Sequence, residues 1–184
     1  PGTSQRFRCG GLSVELQTAR LLAALCVTET VTYRERSPDH PFLDDCLRDG
    51  SPDGSILWIV SWGFDVPDLI RRLRGHRVAY HAHSSGYGFD LPPGVPVLAV
   101  SQNTLGYWGN RCPRNPLLLV PNALEPVWLE RGARAGTEQR PIDVLVQARK
   151  SSRYVLHELV PALRSAGLEV EVQSGWVDDL VGLF

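Results

Sequence analysis

Apolar residues at Leu12, Val14, Leu16, Ala19, Leu21, Leu22, Leu25 and Cys26 recur at spacings of three and four. That period predicts a helix over 12–26 with one apolar face, opened by Gly10-Gly11. The β-branched run 27–33 (VTETVTY) predicts a strand, and the polar stretch 34–54 a long connection with one short helical turn. Ile56 to Val60 is a continuous apolar run, the pattern of a central parallel strand buried on both faces. Pro67 can open a helix over 67–74 that Gly75 closes. Strands are predicted at 77–82, at 95–100 after the turn Pro92-Pro93-Gly94, and at 117–120 as a short buried strand. A helix is predicted to begin at Ser101 or Gln102.

Residues 131–140 (RGARAGTEQR) have no periodicity and no apolar anchor, and they read as a linker. Beyond them the pattern restarts: strand 142–147, a basic loop at 149–153, helix 154–166 with Gly167 as its cap, strand 168–172, and helix 176–184. Strands alternating with helices at this spacing imply α/β architecture with parallel pairing. The division expected is one Rossmann-like domain over 1–130 and the beginning of a second over 141–184. A strand–helix–strand–helix run of that length cannot bury its own sheet, so the second domain is expected to be incomplete. The chain opens at Pro1, contains no Met and closes inside an apolar run, and so reads as a piece of a larger protein.

Composition narrows the function classes. Of the 184 residues 43% are apolar, enough for a core, which excludes a disordered chain. Nineteen basic against twenty acidic residues give net charge −1, so no nucleic-acid or anionic-membrane partner follows from charge. Cysteines at 9, 26, 46 and 112 have neither metal spacing nor the density of a disulfide scaffold. With no apolar run of membrane length and no signal peptide, the expected location is cytoplasmic, with peripheral membrane association left open.

In open parallel sheets ligands bind beyond the carboxyl ends of the strands, and four segments fall there. Gly10-Gly11 lets backbone approach a ligand ahead of a helix N-terminus; a plain turn is the alternative. In His81-Ala82-His83 the two histidines share a strand face, an H-x-H pair that invites a metal. No neighbouring Cys or Asp completes a ligand set, so no metal is expected. His83 at the strand end is expected to hydrogen-bond a ligand hydroxyl or phosphate, against the alternative of a packed, satisfied histidine. Ser101 reads equally as a helix cap or a ligand contact. Arg149, Lys150 and Arg153, which include the chain's only lysine, suit a diphosphate; a solvated basic turn is the alternative. Trp62, in Ser61-Trp62-Gly63-Phe64-Asp65, is the tryptophan expected to line a cleft. Asp44-Asp45, Asp178-Asp179 and Glu169-Val170-Glu171 read as solvated carboxylates, and no D-x-D, G-x-G-x-x-G, G-x-S-x-G or G-x-x-x-x-G-K-[ST] occurs.

The order of these features — GGLSVELQTARLLAAL, VTYRER, ILWIV, YHAHSSG, VLAVSQNT, LLLVPNALEPVWLERG, DVLVQARKSSRYVLHELVPAL — resembles the two-domain retaining glycosyltransferases of family 4, built on the GT-B fold. The resemblance implies transfer of a sugar from a nucleotide-diphosphate sugar to an acceptor hydroxyl with retention, without a metal or other cofactor. Gly10 and Gly11 match the family's first-loop glycines, His83 its donor-sugar histidine, and Val120-Pro121-Asn122 its V-P-N-G segment, with Ala123 in place of the last glycine. Arg149 matches the diphosphate arginine. The family's lysine five residues on is Tyr154 here, so Lys150 or Arg153 must substitute for it. Two glutamates eight positions apart are expected beyond Phe184. The resemblance leaves the acceptor open among a carbohydrate, a lipid-linked group and a small molecule. Two other classes stand beside this one: an inverting GT-B transferase or sugar epimerase, in which His83 or Asp65 acts as a base, and a non-catalytic nucleotide- or sugar-binding module.

Overall fold

The structure, a computed structural model, describes residues 10–49, 54–61, 63–124, 126–134 and 141–175. The chain divides into two compact units, Pro1–Ala123 and Leu124–Phe184. Each contains a parallel sheet, the second smaller than the first, and together they have the two-Rossmann-domain topology of a GT-B-like α/β protein.

In the first unit the strands β1 (Leu57–Ser61), β2 (Arg77–Ala82), β3 (Val97–Ala99) and β4 (Leu117–Leu119) lie side by side in chain order, all parallel. Register sets Val60 beside Tyr80 and Tyr80 beside Val97, so these three point to one face. Helices α3 (Val66–Arg72) and α4 (Gln102–Arg111) cover that face, and Leu69, Ile70, Leu73 and Trp108 close a single core against it. Tyr80 and Trp108 are both 0% exposed, with ring centroids 5.1 Å apart and edge to face. Pro67 stands in the first turn of α3, where its missing N–H costs nothing, and Gly75 adopts φ +95° just past the helix end.

Alternation sends Ala79 and His81 to the opposite face, toward helix α1 (Gly10–Leu22). None of the thirteen residues of α1 is fully buried. The sheet positions that α1 leaves uncovered, Leu57, Ile59 and Leu118, are each more than 40% exposed.

Several sequence expectations are corrected here. Gly10 and Gly11 are not a loop ahead of a helix but its first two residues, and the helix ends at Leu22 rather than 26. Residues 27–33 form no strand; only Thr32 bridges Phe42, and Val27 is fully exposed. Strand propensity reflects packing on a pleated, half-buried surface, and among the described residues no strand lies alongside this run. Among the described residues β1 ends the strand order instead of occupying its centre. Its alternate residues Leu57 and Ile59 are exposed because α1 leaves the second face uncovered at this strand. β4 is likewise not buried: Leu118 and Leu119 are 48% and 42% exposed. The short helix in the long connection is α2 (Leu43–Asp49).

In the second unit β5 (Val144–Gln147) pairs in parallel with β6 (Val170–Gln173), and Val146, Val160 and Val170 form its core. Helix α5 (Pro126–Arg134) occupies the first part of the stretch expected to be linker; residues 135–140 lie outside the described residues. The predicted helix 154–166 forms, but in two geometries: a π-helical segment Val155–Leu159, then α6 (Val160–Ser165). Pro161 is the cause. It cannot donate to the carbonyl of His157, and its ring crowds that carbonyl, so the turn before it widens. Gly167 has φ +88° at the helix end, as a C-cap glycine requires. The helix expected at 176–184 lies outside the described residues.

Candidate functional site

At the carboxyl end of β2 the chain carries His81 inside the strand and His83 just past it, two positions apart and therefore on one face. Their rings lie 4.4 Å apart between centroids. Glu15 of α1 meets both. Its Oε1 accepts from His81 Nδ1 at 2.6 Å and from His83 Nε2 at 2.5 Å. The side chains are 19% (Glu15), 5% (His81) and 13% (His83) exposed. Burial works to raise the Glu15 pKa, but the hydrogen bonds from His81 and then His83 outweigh it, and the group is held down at about 2. Glu15 is thus a carboxylate at any ordinary pH.

This geometry assigns the atoms. His83 turns Nε2 toward Glu15, so Nδ1 is the nitrogen available to a ligand. His81 turns Nδ1 toward Glu15, and its Nε2 is buried without a hydrogen-bond partner. Gly11 lies beside this group: a Cβ there would sit 4.0 Å from His83 Cγ, whereas one on Gly10 would meet nothing within 4 Å. Of the two glycines, then, only Gly11 borders the histidine.

Glu15 is the residue that sequence reasoning missed, and the H-x-H pair does have a carboxylate to complete it. A signal for it was present. Glu15 is the one acidic residue of α1, and it stands three positions after Leu12 and four before Ala19, inside the apolar stripe. A carboxylate in that stripe requires a polar partner on the surface the helix covers.

The loop after β2 is held from α4 and the turn that follows it. Trp108 Nε1 donates to the Ser84 carbonyl at 3.1 Å, and Arg111 donates to the carbonyls of Gly88 and Phe89, each at 2.6 Å. The Asn115 amide donates to the carbonyls of Pro92 and Val95. The ordered loop displays Tyr87 edge to face with Phe64, whose side chain is 77% exposed. A depression bounded by Leu57, Arg74, His76 and Pro93 opens at the amino ends of the strands, the opposite edge from His83.

In the second unit β5 leads directly into a 3-10 turn, Ala148–Lys150. Ser151 Oγ closes that turn by donating to the Gln147 carbonyl at 2.8 Å, and Ser152 Oγ accepts from the Val155 N–H at 3.3 Å. The two serines are therefore used in shaping the backbone. Arg149, Lys150 and Arg153 are all exposed, and among the described residues no hydrogen bond or ion pair engages any of them.

The remaining candidates are placed as follows. Ser101 caps α4, its hydroxyl accepting from the Thr104 N–H at 3.1 Å, which is the structural role. Asp65 accepts from Tyr33 at 2.8 Å and pairs with Arg34 at 2.6 Å. Arg34, against the opposing effect of burial and with help from Tyr33, holds its carboxyl below the ordinary range. A carboxylate so engaged is a poor proton acceptor. Asp44 pairs with Arg72, and Asp45 with Arg36 and Arg48. Trp62 and Asp178-Asp179 lie outside the described residues. Among the described residues no helix is long and apolar enough to cross a membrane. Comparison of the chain with known protein families, with curated proteins and with solved structures returned no match.

Proposed function

We propose that this chain serves glycosyl transfer from a nucleotide-diphosphate sugar to an acceptor hydroxyl, with retention of configuration, as its resemblance to family 4 implies. The observation that carries the reading is the turn and helix start after β5, where Arg149, Lys150 and Arg153 stand exposed, with no pairing partner among the described residues, at the carboxyl end of a parallel strand. Cations at that edge with no carboxylate partner among the described residues suit a diphosphate, and arginine forks bind phosphate oxygens bidentately. The costly feature of the reaction is charge developing on the departing diphosphate, and fixed cations stabilise it as it forms. His83, fixed through Glu15, offers Nδ1 to a sugar hydroxyl.

The test is calorimetry of a nucleoside diphosphate binding to the full chain and to its Arg149→Ala and Arg149→Lys variants. Losing a charge-assisted contact of this kind costs on the order of 2 kcal/mol or more, roughly thirtyfold in affinity. Lysine keeps the charge and discards the fork, so it should recover only part of the loss. Unchanged affinity in Arg149→Ala would remove the assignment. A larger defect in Lys150→Ala or Arg153→Ala would move it along the turn.

One observation favours a second reading. A carboxylate oxygen bonded to the far nitrogen of a strand-end histidine is the arrangement that orients and strengthens a general base. With His83 as that base, transfer would proceed with inversion, and the stereochemistry of the product separates the two readings. Asp65, neutralised by Arg34, does not fit the role.

A further inference from the structure

We propose that Glu15, His81 and His83 form a site for one divalent transition-metal ion of the zinc type, which fastens α1 to the sheet. Three ligand atoms, one from each residue, lie within 4.8 Å of one another. His81 comes from β2, His83 from the same face just past its end, and Glu15 from α1, so the set ties the helix to the end of the strand. Two imidazoles with one carboxylate select zinc, cobalt, nickel or ferrous iron over calcium or magnesium, which take oxygen ligands. Two neutral imidazoles and one carboxylate also leave one negative charge for the ion to compensate.

Two independent observations point the same way. First, no residue of α1 is buried, so apolar packing does not account for its seat on the sheet. Among its polar contacts are Glu15 on the two histidines, and the Gln17 amide donating to the Ala123 carbonyl at 2.8 Å. Second, His81 is buried with its Nδ1 turned onto Glu15 and its ring beside that of His83, so an interior ring presents a donor atom to the point where the other two ligand atoms meet.

The geometry needs little change. Zinc lies about 2.0–2.2 Å from nitrogen and oxygen ligands, which sets neighbouring ligand atoms roughly 3.0–3.5 Å apart in a tetrahedron. The present contacts, 2.6 Å from His81 and 2.5 Å from His83, are hydrogen bonds to one carboxylate oxygen, shorter than that spacing. On binding, each neutral imidazole gives up the proton it donates to Glu15 and takes one at its far nitrogen, Nε2 of His81 and Nδ1 of His83, a change of tautomer through water with no net gain or loss of protons. With three protein ligands the ion retains an open fourth position. The inference does not rest on the glycosyl-transfer reading, in which Arg149 carries the diphosphate.

The experiment titrates the chelator-stripped full chain with Zn2+ by calorimetry and with Co2+ by visible absorption, and measures Tm at each Zn2+ concentration. One equivalent should bind saturably, Co2+ should give a four- or five-coordinate ligand-field spectrum, and Tm should rise with free Zn2+. Glu15→Gln and His83→Gln, checked for retained circular dichroism, should each weaken Zn2+ binding by at least about tenfold. The native Co2+ spectrum decides the matter even where a variant misfolds. Absence of single-equivalent binding, a cobalt–thiolate band assigning the ion to a cysteine, or unaltered affinity in both folded variants would each overturn the site.

Discussion

In the first unit four strands with α3 and α4 enclose Tyr80, Val97 and Trp108 completely, whereas in the second two strands and α6 enclose three valines. Their polar groups at strand ends differ in the same sense. Glu15, His81 and His83 are sunk against a well-packed sheet, with Glu15 bonded to both rings. Arg149, Lys150 and Arg153 stand in solvent on a turn whose shape is set by Ser151 and Ser152. A buried polar group must find its partners within the protein, so the histidine cluster is part of what holds the first unit together. An exposed cation needs none, so the basic turn can be kept for a ligand. On the reading proposed for the two sites, ligand binding is entangled with stability at His83 and separable from it at Arg149.

The comparison breaks first if the core of the first unit is not what positions the β2 loop. Trp108 both fills that core and holds the Ser84 carbonyl. Trp108→Ala should cost about 3–5 kcal/mol, the range for a large buried aromatic. Chemical denaturation gives the loss directly, and hydrogen exchange at residues 84–89 should quicken in the variant. Slow exchange there despite lost global stability would show that the loop is held without α4.

The next effect down is at Glu15. Glu15→Ala strips the partner from two buried imidazoles at once, and stranding a buried polar group costs about 1–3 kcal/mol. Because Glu15 also ties down α1, the variant should expose residues 10–22 to proteolysis before the rest of the unit opens. Equal protection of α1 in the variant would mean that the helix seats itself without the carboxylate.

How much of this was legible in the sequence follows from which interactions are local. β2, α3 and α4 were readable because their signals are near-neighbour: an apolar run, a proline at a helix start, a serine before one. Residues 27–33 failed because strand formation depends on a partner strand that no local pattern supplies. β1 was misjudged for a related reason. Ile56 to Val60 reads as buried on both faces, but burial of Leu57 and Ile59 depends on what covers the second face. At the candidate site the H-x-H pair was visible from strand alternation, while its third member lies 66 positions before His81 and 68 before His83. Only tertiary placement brings Glu15 there. The basic turn was readable because three cations within five residues need no tertiary information.

A smaller effect, dependent on pH, tests whether ion pairs in the first unit contribute where they are solvent-facing. The folded pKa of Asp65 lies below its ordinary value, so the unfolded chain takes up its proton first as pH falls. Its contribution is therefore complete above the ordinary carboxylate range and fades as pH drops through the folded value. Asp65→Asn should lower stability at neutral pH and match the parent in strong acid. Parallel stability curves for parent and variant across that range would show that Arg34 and Tyr33 contribute nothing through it.

The smallest expected change in stability is the one that separates the two units. Arg149 is exposed, follows β5, and has no ion-pair partner among the described residues. Arg149→Ala should therefore leave the denaturation midpoint within about 0.5 kcal/mol of the parent, the usual range for a surface substitution. The same protein should bind nucleoside diphosphate at least roughly thirtyfold more weakly. His83→Ala is the matched partner, since it should disturb stability and ligand response together through its bond to Glu15. If Arg149→Ala instead destabilised the fold, its guanidinium would be part of the structure of the β5 turn, and the contrast between a tied and a free set of polar groups would collapse. If it did neither, the basic turn would be a solvated surface, and Lys150 and Arg153 would lose their claim along with it.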